Sequence, residues 1–353
     1  MEQEQQEQQT PHKRRVRYKG KYPKKFEEKY KELQPEKYQD TIEHVIKKGN
    51  TPAGMHISIM VQEILDTLKI QPGETGFDAT LGYGGHTKAM LACLNGQGHI
   101  YATDVDPEES AKTKKRLEEL GYGEDILTIR LQNFCTIDEI AKEVGGFDFI
   151  LADLGVSSMQ IDNPKRGFSF KVDGPLDLRL NQEAGISAAE RLDTITREEL
   201  AGMLYENSDE PYCEELAKAI TDEIRKGSRI DTTTKLREVI EKTLDFLPEK
   251  EKKDTIKKTC QRTFQALRID VNREFEVLYE FMEKLPDALK PGGRVAILTF
   301  HSGEDKLVKK ALKEGYRAGI YADYSKDVVR PSAQECAQNG RARSTKMRWA
   351  VRA

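Results

Sequence analysis

The sequence predicts an α/β fold in which helices cover a largely parallel sheet, interrupted by an inserted all-helical domain. Short apolar segments alternate with helical segments through residues 76–152, which is typical of a parallel sheet. The next apolar segment starts only at Arg294, roughly 140 residues later, and one crossover connection needs far fewer. Because the intervening stretch is rich in helix-forming residues, the gap predicts an insertion.

The composition bounds the size and class of the protein. With 353 residues, the chain exceeds the ~100–200 residues of one usual domain. Hydrophobic residues make up 37% and charged residues 33%, which supports a core beneath a very hydrophilic surface. No apolar run reaches the ~20 residues of a membrane-spanning helix, and residues 1–10 are rich in Gln and Glu where a signal peptide would be apolar. These features predict a cytoplasmic protein without membrane contact.

The five cysteines predict neither a disulfide framework nor a metal site. They stand more than 40 residues apart, and none has a zinc-ligand spacing to another cysteine or to a histidine. We therefore expect buried free thiols and no metal.

Both ends of the chain are basic. Residues 1–50 predict a flexible polar extension, in which positions 11–25 hold eight Lys or Arg and no acid, with aromatic residues interleaved. Five more basic residues and no acid follow Asn339. Basic residues mixed with aromatics suit the phosphates and unstacked bases of RNA, although a short charged run is also typical of a solvated tail. The composition alone leaves both interpretations open.

The predicted elements begin with an amphipathic helix over residues 56–70, ended by Pro72 and Gly73. The predicted strands are 76–79, 99–103, 126–131, 147–152 and 294–300, with a last edge strand over 347–351. The predicted helices between them are 87–94, 107–120 and 137–144. Residues 187–247 predict a small helical domain with caps at Thr196 and Thr234. We place the sheet domain at residues 51–160 and 264–353, and the insert at 161–263.

A glycine-rich turn, with Gly82, Gly84 and Gly85 followed by His86, lies between the first strand and the next helix. Glycines let the backbone approach a ligand, and helix N-terminal amides favour an anionic group, although many α/β loops are glycine-rich for steric reasons. Asp104 ends the second strand about 20 residues later, where an acid binds ribose hydroxyls. The spacing Gly-x-Gly-Gly is not that of a dinucleotide site, so the pattern favours S-adenosylmethionine (AdoMet) over NAD.

Three other acidic or histidine positions follow predicted strands. Asp106, with Pro107 at the first helical position, is explained as a helix N-cap. Asp153 follows the fourth strand and precedes small residues that would admit a planar base, although a turn or cap is the alternative. His301 ends the fifth strand and is a candidate to touch the base or relay a proton. The spacing of Ser302 and Asp305 predicts a capping box without a functional role.

Four residues are candidates for RNA contact. Arg166 and Phe168 offer a guanidinium group and a stacking face to a flipped base, although Phe168 and Phe170 are also explained by packing between domains. Arg341 and Arg343 precede the last strand and predict phosphate contacts.

Ten blocks of the sequence resemble the bacterial 16S ribosomal RNA cytosine-N4 methyltransferase family. They occur in order as 56–65, 78–86, 104–107, 153–162, 166–170, 173–179, 263–272, 292–294, 300–302 and 341–344. The resemblance implies a class I (Rossmann-like) methyltransferase domain and a helical insert that recognises RNA. It also implies AdoMet contacts from Gly84, Gly85, His86, Asp104, Phe134, Asp153 and Gln160.

The sequence departs from the family pattern at three places. The usual proline is absent from the block that starts at His56, Gly303 replaces the usual leucine after His-Ser, and Gly340 replaces the usual proline after Asn339. Together with the N-terminal extension, these departures suggest a paralogue and leave the target nucleotide open.

The resemblance implies that the protein methylates the exocyclic N4 amine of a cytidine in 16S ribosomal RNA, with the small ribosomal subunit as partner. One alternative is an RNA-binding or ribosome-assembly factor that keeps AdoMet as a structural ligand, which the intact cofactor blocks disfavour. Another is an amino-methyltransferase for a different RNA nucleotide, DNA or a small molecule; a small molecule would not need the helical insert and the basic ends. The sequence leaves both a monomer and a homodimer open.

Overall fold

A seven-stranded sheet forms the centre of the computed structural model, which describes residues 58–353. The strand order is β3-β2-β1-β4-β5-β7-β6; the first five are parallel to their neighbours, and β7 is antiparallel to β5 and β6. The strands are β1 (Thr75–Asp78), β2 (His99–Asp104), β3 (Leu127–Leu131), β4 (Phe147–Asp153), β5 (Leu289–Thr299), β6 (Tyr321–Tyr324) and β7 (Lys346–Arg352). The sheet confirms the class I methyltransferase fold. The basic segment 11–25 lies outside the described residues.

Helices cover both faces of this sheet. In chain order the helices are α1 (Val61–Leu68), α2 (Gly85–Leu94), α3 (Pro107–Glu119), α4 (Ile137–Val144), α5 (Ser158–Asp162), α6 (Ala188–Thr194), α7 (Arg197–Ser208), α8 (Cys213–Arg225), α9 (Thr233–Thr243), α10 (Glu249–Asn272), α11 (Glu274–Ala288), α12 (Ser302–Arg317) and α13 (Ala333–Gln338). One apolar core joins the sheet to α1, α2 and α3, and the other joins it to α4, α11 and α12. Because both faces are buried, β4 reads as an almost continuous apolar run.

The remaining helices, α6 to α10, enclose a third apolar core of their own. Its fully buried members include Leu200, Leu216, Leu236, Ile240 and Leu267. Helix α10 runs without interruption from Glu249 to Asn272, so it passes through the predicted insert boundary at residue 263. The exact domain boundaries therefore stay a prediction.

At the far edge of the sheet, the structure corrects the prediction that residues 347–351 form the edge strand. The segment over 347–351 is a strand, but it is not an edge, because β6 pairs along its outer side. The sequence analysis missed β6, which has four residues, two of them exposed, and therefore lacks an alternating apolar pattern. The first described helix also starts later than predicted, at Val61, because Met60 adopts a left-handed conformation with φ 58°.

Two predicted caps are placed differently. Thr232, not Thr234, caps α9 through the amide of Lys235, whereas Thr196 caps α7 as predicted. Ser302 and Asp305 do not form a capping box, because the Asp305 carboxylate is bound by Lys346 and Arg348 of β7. Long-range ion pairs of this kind leave no trace in local spacing.

The cysteines are all free thiols, as predicted, but Cys260 alone is buried and the other four are partly exposed. Among residues 58–353, no helix has both the length and the apolar character needed to cross a membrane.

Candidate functional site

A cavity of about 370 Å³ lies at the carboxyl ends of β1, β2, β4 and β5. Open α/β sheets bind ligands at this edge, because their strands end there and the following loops diverge. The structure brings together most of the predicted site residues in its wall: Gly82, Gly84, Gly85, His86, Asp104, Phe134, Asp153, Gln160, His301 and Arg341.

The glycine turn forms one side of the cavity. Gly84 has φ 78° and stands at the N-terminus of α2, where a side chain would be strained and its Cβ would lie 2.8 Å from Thr113. A Cβ on Gly85 would lie 2.0 Å from the Ser58 hydroxyl oxygen. His86 is buried, with Nε2 2.9 Å from the Ile59 carbonyl oxygen. Glycine at these two positions is therefore required by packing within the protein, whereas a Cβ on Gly82 would meet nothing closer than 3.8 Å.

Asp104 holds the shape of this turn and keeps acceptor capacity. One carboxylate oxygen accepts the Gly82 amide at 2.8 Å, and the other accepts the Asp106 amide at 2.9 Å. Each oxygen retains a second lone pair. Burial raises the pKa of Asp104 to about 6, although the two amides act in the opposite direction. Such an acceptor, beside a glycine turn, suits the hydroxyls of a ribose.

Asp153 lies at the end of β4, and its amide donates to the Thr80 hydroxyl at 2.7 Å. Its Oδ2 is 3.4 Å from His86 Nδ1, whereas its Oδ1 is buried and has no hydrogen-bond partner. Burial raises the pKa of Asp153 to about 6; His86 lowers it, and Asp78 raises it further. A buried acceptor without a partner in the protein needs an explanation, and a donor on a molecule bound in the cavity is one.

These observations fit AdoMet. The wall provides an acid for the ribose, a glycine turn that admits close approach, and the Phe134 ring, which stands edge-on to Phe281 at 5.2 Å. The unpartnered Asp153 oxygen lies in the same wall.

Gln160 and Arg166 converge on Asp106, which the sequence analysis assigned to capping alone. The capping role is confirmed, because one Asp106 oxygen accepts the amides of Glu108 and Glu109. The other accepts the Gln160 side chain at 3.0 Å and the Arg166 guanidinium at 2.6 Å. Because Arg166 is only 3% exposed, the structure contradicts its predicted contact with RNA. The local sequence could not show this, since the partner lies 60 residues upstream.

The other RNA candidates have different surroundings. Phe168 and Phe170 pack against the helical core, and Phe170 meets Phe264 edge-on at 5.8 Å, in agreement with the packing alternative. Arg341 lines the cavity and donates to Asp162 at 2.9 Å. Arg343 is exposed.

The opposite wall contains a charged network that the sequence analysis did not assign. Arg268 donates to both oxygens of Glu274, at 2.8 and 2.9 Å, and His301 Nε2 lies 3.2 Å from a Glu304 oxygen. Burial alone would raise the pKa of Glu304, but the contact with His301 and the Phe300 amide hold it below its usual value. Atoms of Glu274, His301 and Glu304 that could ligate a metal lie within 4.8 Å of one another, although Arg268 already binds one of these acids.

A strained segment completes this wall. Leu178 has φ 64°, which costs a non-glycine residue about 1–2 kcal/mol. The Asn272 side chain donates to the Leu178 carbonyl at 2.7 Å and accepts the Leu180 amide at 2.8 Å. Arg268 and Asn272 fall in the family block 263–272, which was the available signal for them.

Gly303, one of the departures from the family pattern, has a structural explanation. A Cβ at this position would lie 2.7 Å from the Phe275 ring and 3.2 Å from His301 Nδ1. Phe275 occupies the space that a larger side chain at 303 would need.

The model of the MraW methylase family matches residues 53–353. The chain belongs to this family. Its curated relatives include "Ribosomal RNA small subunit methyltransferase H 1" of Agathobacter rectalis, 86% identical over 97% of this chain and 98% of the relative. The protein of the same name from Lachnoclostridium phytofermentans is 69% identical over 98% and 94%. A more distant MraW relative, "Ribosomal RNA small subunit methyltransferase H" of Koribacter versatilis, is 36% identical over 84% and 94%.

Solved structures give a weaker likeness to this MraW family member. An rRNA methylase from Streptococcus thermophilus is 13% identical, with a TM-score of 0.37 over 84% of this chain and 98% of that one. A SAM-dependent O-methyltransferase from Thermotoga maritima is 11% identical, with a TM-score of 0.39 over 88% and 71%. These similarities are too low to support any statement about the site.

Proposed function

We propose that this MraW family member transfers a methyl group from AdoMet to the exocyclic N4 amine of a cytidine in 16S ribosomal RNA of the small subunit. The observation that supports it most directly is the unpartnered Asp153 oxygen, which lies in the same cavity as the glycine turn and Asp104. The names of its relatives supply the substrate class. Bound AdoMet supplies an electrophilic methyl group on a sulfonium centre.

The residues around the glycine turn hold and orient the cofactor. Asp104 accepts the ribose hydroxyls, and the open backbone at Gly82, whose amide Asp104 also binds, admits the ligand. His86, Phe134 and Gln160 shape the rest of this wall. Because methyl transfer is an in-line displacement, alignment of the two reactants accounts for most of the rate.

Asp153 serves the incoming amine. The lone pair of a cytosine amine is delocalised into the ring, so acceptors beside its hydrogens favour a localised pair and stabilise the positive charge that develops. Asp153 Oδ1 is such an acceptor, and the backbone carbonyls of Leu154 and Gly155 follow it in the wall. A role in holding AdoMet is the competing assignment for the same carboxylate. His301, 12% exposed at its side chain, is a further candidate to relay the proton that the amine loses.

Exchange of Asp153 for Asn tests this assignment. The variant keeps the shape but removes the charge and one acceptor oxygen, so we expect single-turnover methylation of small-subunit RNA to fall about 100-fold at saturating AdoMet. Asp148→Asn is the matched control, because Asp148 lies at the other end of the same strand and binds Lys290. A defect at low AdoMet that disappears at saturating AdoMet would assign Asp153 to the cofactor, and a wild-type rate at both concentrations would remove it from the site.

Nucleoside mass spectrometry of the product decides the target. N4-methylcytidine in 16S RNA supports the proposal, whereas another methylated nucleoside supports the alternative amino-methyltransferase. Absence of any methylated nucleoside with AdoMet bound would support a ribosome-assembly factor.

RNA affinity comes from basic residues outside the reacting centre. Arg341 lines the cavity and Arg343 is exposed, and both are suited to phosphates; the segment 11–25 adds eight more cations. Phosphate contacts position a protein on RNA without choosing the base. Deletion of residues 1–48 should weaken RNA binding and flatten its salt dependence; methylation of a different nucleotide by the truncated protein would refute this division.

A further inference from the structure

Arg166 joins two parts of the cavity wall that are far apart in sequence. Its guanidinium donates to the Asp106 carboxylate at 2.6 Å and to the Leu180 carbonyl at 3.0 Å. The side chains of Arg166 and Asp106 are 4% and 1% exposed. We call this arrangement, formed by Arg166, Asp106 and Leu180, the Arg166 bridge.

On the cofactor side, Asp106 of the bridge is hydrogen-bonded directly to Asp104, the proposed acceptor of the ribose hydroxyls. The Asp106 amide donates to Asp104 at 2.9 Å, so the two acids form one turn. The Asp106 carboxylate also caps α3 and accepts the Gln160 side chain. A shift of Asp106 would therefore alter both Asp104 and the Gln160 wall.

On the other side, the bridge supports the strained segment. The Leu178 amide donates to the Arg166 carbonyl at 3.1 Å, and the Leu180 carbonyl accepts the Arg166 side chain. Leu180 and Asn272 line the cavity. Residues in sparsely populated backbone conformations persist when their surroundings hold them, and here Arg166 and Asn272 are the holders.

We propose that Arg166 is a positioning residue that couples the cofactor turn to the Leu178–Leu180 wall. Binding at Asp104 stabilises Asp106, Arg166 transmits this order to Leu178 and Leu180, and the ordered wall receives the RNA base. The RNA part of this inference rests on the proposed function, whereas the coupling within the protein does not.

Arginine is suited to this role because its planar guanidinium has several donors in a fixed geometry. Arg166 Nη2 donates to the Asp106 carboxylate, while Nη1 donates to the Leu180 carbonyl. A lysine keeps the charge, but its single nitrogen cannot take the place of two nitrogens that point in different directions within the guanidinium plane. Arg166→Lys therefore separates the coupling from the charge.

Hydrogen exchange with S-adenosylhomocysteine tests the coupling without RNA. In the wild type, this ligand should slow exchange both at residues 82–86 and at 176–180. In Arg166→Lys, protection at 82–86 should remain while protection at 176–180 is lost. Arg130→Lys is the matched control, because it also disrupts a two-point pair, with Glu143, but Arg130 lies outside the cavity wall, and this variant should behave as the wild type.

Three results would overturn the proposal. They are wild-type protein without protection at 176–180, Arg166→Lys with full protection there, and Arg130→Lys with the same selective loss. Should Arg166→Lys fail to fold, Asp106→Asn provides the second variant, since it removes the charge but keeps a capping oxygen. The wild-type result stands without either variant.

A second measurement extends the test to RNA. S-adenosylhomocysteine should tighten binding of a small-subunit RNA transcript at least about fivefold in the wild type and in Arg130→Lys, and by less than twofold in Arg166→Lys. Intact exchange coupling without any effect on RNA affinity would refute the RNA part of this inference and leave the bridge standing. Equal tightening in all three proteins would refute the role of Arg166.

Discussion

The two halves of the cavity are built in different ways. The half that we assign to the cofactor consists of the glycine turn and the ends of neighbouring strands, and its main acid, Asp104, binds backbone amides at Gly82 and Asp106. The half that we assign to the substrate contains side chains from segments far apart in the sequence, such as Arg268, His301 and Arg341. The first, called the cofactor half below, is held by bonds to backbone amides, and the second, the substrate half, by ion pairs between side chains, such as Arg268 with Glu274. Substitutions in the two halves should therefore affect different measured quantities.

The largest expected effect concerns the stability of the substrate half. Arg268→Met leaves Glu274 without its two-point partner in a largely buried place, so the free energy of unfolding should fall by about 3–5 kcal/mol. AdoMet affinity should change little. Arg341→Met is the matched control, because its pair with Asp162 is more exposed and should contribute less than about 1 kcal/mol. Denaturant unfolding gives both values, and equal losses would show that burial does not separate these pairs.

The next effect concerns the cofactor half. Asp104→Ala removes charge-assisted hydrogen bonds worth about 1.5–3 kcal/mol each, so AdoMet affinity should fall at least about tenfold. RNA affinity in the absence of cofactor should stay unchanged. Calorimetry with Asp148→Ala as control measures the difference, and an unaltered AdoMet affinity in Asp104→Ala would remove this acid from the site.

A smaller effect should appear in the pH dependence of the cofactor half. The pKa of Asp104 is raised to about 6 by burial, and its ionised form accepts the ribose hydroxyls. AdoMet affinity should therefore fall, by at most about tenfold per unit, as pH decreases below 6, and stay level above 7. The unliganded protein should show the opposite trend: a raised folded-state pKa means that stability present below pH 4 is lost as pH rises through 6.

Asp104→Asn is the control for this pH dependence. Asp153, whose pKa burial also raises to about 6, would account for any dependence that remains. If the variant keeps the complete wild-type profile, Asp104 does not control binding.

The smallest expected effect concerns Arg343, which is exposed. Arg343→Ala should weaken RNA binding only a few fold and reduce the salt slope by about 0.7, the value for one phosphate on a single strand. Binding measured at several salt concentrations checks it. A change in the methylated position would mean that Arg343 reads a base.

Much of the cofactor half could be predicted from the sequence, because each of its features is a short local motif, although the bonds between them join residues such as Gly82 and Asp104, 22 positions apart. The strand ends, the glycine turn, Asp104 and the Asp106 cap each follow from a few consecutive residues. The chemical roles of the individual site residues stay predictions.

The substrate half could not be predicted in the same way. Arg166 resembled an RNA ligand because its partner Asp106 lies 60 residues away in sequence. Outside the cavity, Asp305 likewise resembled a cap because Lys346 and Arg348 come from a different element, strand β7. The family block drew attention to 263–272, but only tertiary packing shows that Arg268 and Asn272 reach the cavity.

Helix α10 has a mechanical consequence. Its 24 residues form one beam about 36 Å long, with Asn272 at the cavity and Glu249 at the far end of the helical core. Because the helix is uninterrupted, it moves as one rigid body: a tilt of its axis by about 10° around Asn272 would move Glu249 by about 6 Å. An RNA molecule that displaced the helical core would therefore also rotate Asn272, which holds the strained Leu178 in place.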